Sequence, residues 1–164
     1  MADAARRTTA PDRTERALGW GALALLAAVV IAVARGRPHW PMVPAVVWIH
    51  LAAMIVVLAL TPVLLWRRRG TIAHRRLGWI WAVAMMISAV DSLFVHSVRP
   101  GRFSPIHLLS ILVLVAVPGA VRAARRHDVA RHRRTIRALA IGALLVAGFF
   151  TFPFGRMLGA WLFG

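Results

Sequence analysis

Residues 44–76 read PAVVWIHLAAMIVVLALTPVLLWRRRGTIAHRR, and residues 104–134 read SPIHLLSILVLVAVPGAVRAARRHDVARHRR. Each stretch opens on Ile-His-Leu (Ile49-His50-Leu51, Ile106-His107-Leu108) and runs through apolar residues past a proline, Pro62 or Pro118. Each then reaches an arginine cluster (Arg67-Arg68-Arg69, Arg125-Arg126) and closes on His-Arg-Arg (His74-Arg75-Arg76, His132-Arg133-Arg134). His50 and His74 are 24 residues apart, His107 and His132 are 25, and both copies continue into another apolar segment. The pattern is that of a duplicated helical hairpin, with repeat 1 at about 44–98 and repeat 2 at about 104–160. Duplication places histidines in related pairs, the constellation here best able to carry chemistry.

Working outward, the chain has 164 residues, is 60% hydrophobic, and holds five acidic against 21 basic side chains, which excludes an ordinary soluble domain. Five apolar segments can be read: 18–34, 44–66, 77–98, 104–121 and about 135–152. Each approaches the ~20 residues that cross a bilayer core as a helix. The expected fold is all-α and integral to the membrane: a four-helix transmembrane bundle over 42–164, built from the two hairpins, plus one N-terminal transmembrane helix within 17–41. Residues 1–16 read as a polar, disordered tail.

Every basic residue is Arg, and the arginines alternate along the chain. Compartments on one side of the membrane hold 16 of them and those on the other side hold five. The positive-inside rule then puts the N-terminus in the cytoplasm and the C-terminus outside, in a bacterial inner membrane. A net charge of +16 would suggest nucleic acid in a soluble protein, but here the arginines flank apolar spans, so nucleic acid is excluded and anionic lipid headgroups are the expected partners. Trp20, Trp66, Trp79 and Trp81 fall at one interface and Trp40, Trp48 and Trp161 at the other, as an aromatic belt should. Absence of Cys removes disulfides, thiolate ligands and a Cys nucleophile. Four arginines precede an apolar run ending in Ala32-Val33-Ala34, a string similar to a signal-peptidase site; with ~17 apolar residues the run is long for a signal, so a retained helix is expected.

Ser104-Pro105 suits a helix start, with Ser as N-cap and Pro in the first turn. Gly142, Gly148, Ala84 and Ala89 offer small residues for close helix contact. Pro62 and Pro118 should kink their helices.

His50 and His107 lie at the outer ends of two equivalent helices. Paired neutral imidazoles at one depth can ligate haem iron, and no other metal is indicated. The competing roles are packed, hydrogen-bonded histidines, or groups that carry a proton or bind substrate. Asp91 is the one acid within an apolar span; Ser88, Asp91 and Ser92 share a helix face, with His96 beyond them. A lone carboxylate in hydrocarbon is costly, so Asp91 requires protonation, a partner such as His50, His107 or Arg99, or a wet cavity. His74, Arg75, Arg76, His132, Arg133 and Arg134 form the inner set, for which anchoring to lipid phosphates is the simpler role. No phosphate loop, dinucleotide fingerprint, zinc-protease motif or nucleophile elbow occurs, and no catalytic residue can be named.

Several strings, Ala73-His74-Arg75-Arg76-Leu77-Gly78-Trp79, Ser104-Pro105-Ile106-His107-Leu108-Leu109-Ser110, His132-Arg133-Arg134, and Phe150-Thr151-Phe152 with Gly155-Arg156, resemble a bacterial membrane family catalogued as domain of unknown function 2306. The likeness spans roughly 42–160. It implies a multi-pass membrane protein and brings no reaction with it; Asp91, Ile136 and Phe154 depart from its pattern.

Two functions follow as expectations. One is a small haem-binding or quinol-linked redox protein using paired histidines, with haem b as cofactor. The other is a cofactor-free transporter or accessory subunit with a polar cavity around Asp91, working as a homo-oligomer or within a membrane complex.

Overall fold

A computed structural model describes residues 10–94 and 105–164. Helix α1 spans Arg13–Arg35, and a short 3-10 turn, Arg37–Met42, leads to α2, Ala45–Trp66. Helix α3 is Ile72–Phe94 and α4 is Pro105–Arg125. Helix α5 starts as Val129–Leu139, continues without a break through a π-helical stretch, Ala140–Val146, and ends as Ala147–Phe149. A final short helix, α6, is Met157–Phe163. No strand occurs among the described residues, and α1 to α4 each contain a segment long and apolar enough to cross a membrane. The protein is an all-α membrane bundle.

Local chemistry sets where the helices begin. Asp12 and Glu15 form a reciprocal capping box: the Asp12 carboxylate accepts from Glu15 N at 3.0 Å, and the Glu15 carboxylate accepts from Asp12 N at 3.2 Å. The first helix thus begins at Arg13, inside the segment expected as a polar tail. Between α2 and α3, Gly70 at φ +83° allows a tight reversal, and Thr71 Oγ1 accepts from His74 N at 3.1 Å to cap α3. Asp128 caps α5 by accepting from Arg131 N at 2.9 Å, after His127 turns the chain at φ 59°. Ser104, expected as the cap of α4, lies outside the described residues.

The helices are arranged so that α1 packs on α2, α2 on α3, α3 on α4 and α4 on α5. The ring closes because α1 also contacts the π-helical part of α5, and α6 docks against α1. The core inside contains Leu18, Ala22 and Ala32 from α1 together with Val57 and Leu58 of α2, Met85 of α3, Val117 of α4 and Leu144 of α5. Small residues permit this closeness, since lipid offers little hydrophobic incentive for helices to associate. At Gly148 a Cβ would lie 2.4 Å from Leu25 of α1, and at Gly159 it would lie 1.7 Å from the Phe152 carbonyl. Ala84 and Ala89 are buried as well. Gly142 faces open space, contrary to expectation, so it is not a contact point. Pro62 is buried within α2 and Pro118 exposed on α4, so the two repeat-equivalent prolines sit in different surroundings. Large side chains such as Leu108 and Val115, each 70% exposed, point outward as a lipid-facing surface requires.

Candidate functional site

At the arginine-rich end the ends of α1 to α5 surround a cavity of about 560 Å³. Its walls are largely apolar, with Leu64 and Leu65 of α2, Ala82 of α3, Val117 and Val121 of α4 and Ile136 of α5. Two indoles, Trp79 and Trp81, also line it. Trp81 is fixed by donating from Nε1 to Thr61 Oγ1 at 3.0 Å, while that hydroxyl donates to the Val57 carbonyl at 2.7 Å. A chain of this kind leaves neither buried donor unsatisfied.

The cavity holds both inner histidines. His74, from the first turn of α3, and His132, from the start of α5, line it together and are close enough to interact electrostatically. The His132 Nδ1–H donates to the Ala120 carbonyl at 3.0 Å, which in the neutral ring leaves Nε2 as the acceptor. The His74 Nδ1 is buried with no hydrogen-bond partner.

One wall is electrostatic. The fully buried Glu15 carboxylate pairs with Arg69, accepts from Arg133 Nε at 2.6 Å and Nη2 at 2.9 Å, and receives Arg137 Nε at 3.3 Å. Asp12 adds pairs to Arg137 and, at 3.1 Å, to Arg133. Burial works against ionisation of Asp12, yet the Glu15 backbone N–H and the Arg137 guanidinium outweigh it and hold that carboxyl below its ordinary value. The Glu15 hydrogen bond, opposed by burial, holds the Arg133 guanidinium even more firmly protonated than usual. Arg75 and Arg125 also reach the cavity but have no carboxylate partner among the described residues; Arg125 lies 5.4 Å over the Trp79 ring. Arg76 and Arg134 are exposed on the surface.

The opposite end carries a smaller polar cluster. Asp91, near the end of α3, lies about 29 Å along the helix from Ile72, at 1.5 Å per residue. Its Oδ2 is 3.6 Å from His50 Nδ1 on α2, and the Ser88 and Ser92 hydroxyls lie 3.3 and 3.2 Å from the same nitrogen. The structure therefore brings together His50, Ser88, Asp91 and Ser92. His107 sits half-buried on α4, a helix that packs on α3 and α5, whereas α2 packs on α1 and α3. His96 and Arg99 lie outside the described residues.

Sequence reasoning missed the paired carboxylates of Asp12 and Glu15, and the cavity that Glu15 helps to line. The signal was present: Asp12-Arg13-Thr14-Glu15 has capping-box spacing directly before an apolar run, and it supplies two of only five acids in a chain of 21 arginines.

An all-α ring of apolar helices, with a polar site at each end, defines a polytopic helical membrane protein. The chain belongs to the family described as "Predicted membrane protein (DUF2306)", whose profile matches residues 47–158. The matched region runs from α2 into α6, so α1 and its Glu15 lie outside it. No curated protein and no solved structure matches the chain.

Proposed function

We propose that this chain is a small redox protein of the membrane whose cavity at the arginine-rich end would hold haem b, with His74 and His132 as the residues that would ligate its iron. The observation that carries this is the convergence of these two histidines, one from each hairpin, on one cavity of about 560 Å³. That volume is within the range of cofactor sites, roughly 300–1,000 Å³. The donor set fits. His132 has its tautomer set by the Ala120 carbonyl, as ligating histidines usually do, and His74 keeps a buried nitrogen without a partner. Apolar walls and two indoles suit a porphyrin face, and Arg75 and Arg125 suit its carboxylates. Haem iron held by two imidazoles would supply one-electron chemistry. The chain's own residues would bind the ring and orient it.

The equivalent positions of His74 and His132 in the two copies support both the duplication and their common role. The asymmetry of the arginines supports a cytoplasmic placement of this end in a bacterial inner membrane. Arg76 and Arg134, exposed beside the cavity, take anionic lipid headgroups. An electron partner is a second membrane subunit or another copy of the chain.

The test is the absorbance of the full chain purified in detergent from haem-replete cells. A Soret band that disappears in both His74→Ala and His132→Ala, and persists in His50→Ala and His107→Ala, is the expected result. Colourless protein with intact helices removes the haem proposal, and loss of the band only in the His50 and His107 variants moves the ligands to the outer pair.

The alternative is a cofactor-free transporter or accessory subunit built on the polar cluster at the other end. The buried Asp91 Oδ2, which lacks a hydrogen-bond partner, favours it.

A further inference from the structure

We infer that His50 and Asp91, with Ser88 and Ser92, form a proton-binding site at the end of the bundle opposite the cavity. It stands whether or not a cofactor occupies that cavity.

Asp91 is only 9% exposed at its side chain and lies among apolar helices, where an unneutralised carboxylate costs several kcal/mol. No arginine pairs with it among the described residues; its nearest charge partner is the His50 imidazole at 3.6 Å. This distance exceeds hydrogen-bond length, and Oδ2 has no other partner. The contrast with a structural ion pair is plain, because a buried pair that stabilises has short, saturated contacts. Two hydroxyls, each able to donate and accept, lie against the same imidazole nitrogen. His50 is 34% exposed, so its ring is the side of the cluster through which a proton enters.

The proton balance is simple. A proton taken up at His50 Nε2 makes an imidazolium. The ring releases its Nδ1 proton to Asp91 Oδ2, 3.6 Å away, as the two groups close that gap, while the Ser88 and Ser92 hydroxyls beside Nδ1 hold the ring in place. The cluster goes from a neutral imidazole with a carboxylate to a neutral imidazole with a carboxylic acid, having gained one proton, and the ring has exchanged tautomers. Among the described residues, the other titratable groups of this end on or beside helices packed against the cluster are His107 of α4 and Arg35 of α1, Arg37 and His39 in the turn that follows, and Arg156 before α6, which docks on α1. None of them forms an ion pair with Asp91 among the described residues.

Infrared titration of the full chain in lipid nanodiscs tests this through the carbonyl stretch of protonated carboxylic acid. Wild-type protein should show an acid band that is missing in Asp91→Asn. In His50→Gln the ring that delivers the proton is lost, and deuterium exchange of the same band should slow at least about tenfold. If Asp91→Asn fails to fold, the slower exchange of the band in His50→Gln and in Ser88→Ala/Ser92→Ala carries the test. A spectrum unchanged by Asp91→Asn, or an exchange rate unmoved by His50→Gln, overturns the site. Soret absorbance measured on the same samples reports the haem proposal separately, so either can fail alone.

Discussion

Among its described residues the protein buries two acids, Glu15 and Asp91, at opposite ends of the bundle, and surrounds them very differently. Glu15 touches three guanidiniums, from the α2–α3 turn and from α5, and also closes a capping box. Asp91 faces one imidazole beyond hydrogen-bond length, with one oxygen unpartnered. A saturated carboxylate is locked in one charge state and acts as a clamp. An under-satisfied one is where the proposed proton binding takes place. The comparison separates architecture from chemistry among residues that composition alone treats alike.

The largest expected effect breaks the clamp. Glu15→Ala leaves Arg69, Arg133 and Arg137 gathered without their central counter-charge, and removing one partner of a buried pair costs about 3–5 kcal/mol. Asp91→Asn should fall below about 1 kcal/mol, because the amide replaces a group that was already poorly paired. Denaturant unfolding of both variants in one detergent checks the difference; equal losses would make the two sites alike. Next, Gly159→Ala drives a methyl into the Phe152 carbonyl, and overpacking of this type costs about 1–3 kcal/mol. Faster proteolysis within α6, with the arginine-rich end still protected, would show that the two ends are stabilised separately. Trp81→Phe removes the indole donor to Thr61 at the cavity wall and should lower stability by about 1 kcal/mol while leaving the infrared band of Asp91 unchanged.

The smallest effect is a pH dependence. The Asp12 carboxyl is held below its ordinary value, so its contribution is complete above the unfolded-state value and is lost as pH falls through the folded one. Asp12→Asn preserves the N-cap oxygen and removes the charge. It should lower stability at neutral pH by less than about 1 kcal/mol, since Asp12 is 44% exposed, and leave stability in acid unchanged, which flattens the acid limb of the stability–pH profile.

Much of the architecture was legible along the chain. Runs such as 44–66 and 77–98 announce spanning helices because a bilayer demands unbroken apolar stretches with internal backbone hydrogen bonds. The face shared by Ser88, Asp91 and Ser92 follows from helical periodicity, and His50 was among the few partners that could reach it. The inner site was harder to see. His74 and His132, each followed by two arginines, look like interfacial anchors in sequence, and only the closure of the ring turns them toward a common cavity. Glu15 was obscured for the same reason: its three arginine partners lie 54, 118 and 122 residues away.

Apolar run length and arginine asymmetry determined by themselves that this chain is a multi-helix membrane protein, roughly where its spans lie, and that an acid and several histidines sit within or beside them. These are local properties, set by hydrogen-bond periodicity and by transfer into lipid, and they need no knowledge of neighbours. The tertiary structure alone decided that α1 closes the ring, that Glu15 gathers the arginines, that His74 and His132 share one cavity, and that Asp91 meets His50. Those outcomes depend on which helix faces pack together, and small residues such as Gly148, by letting backbones approach, make that choice at long range.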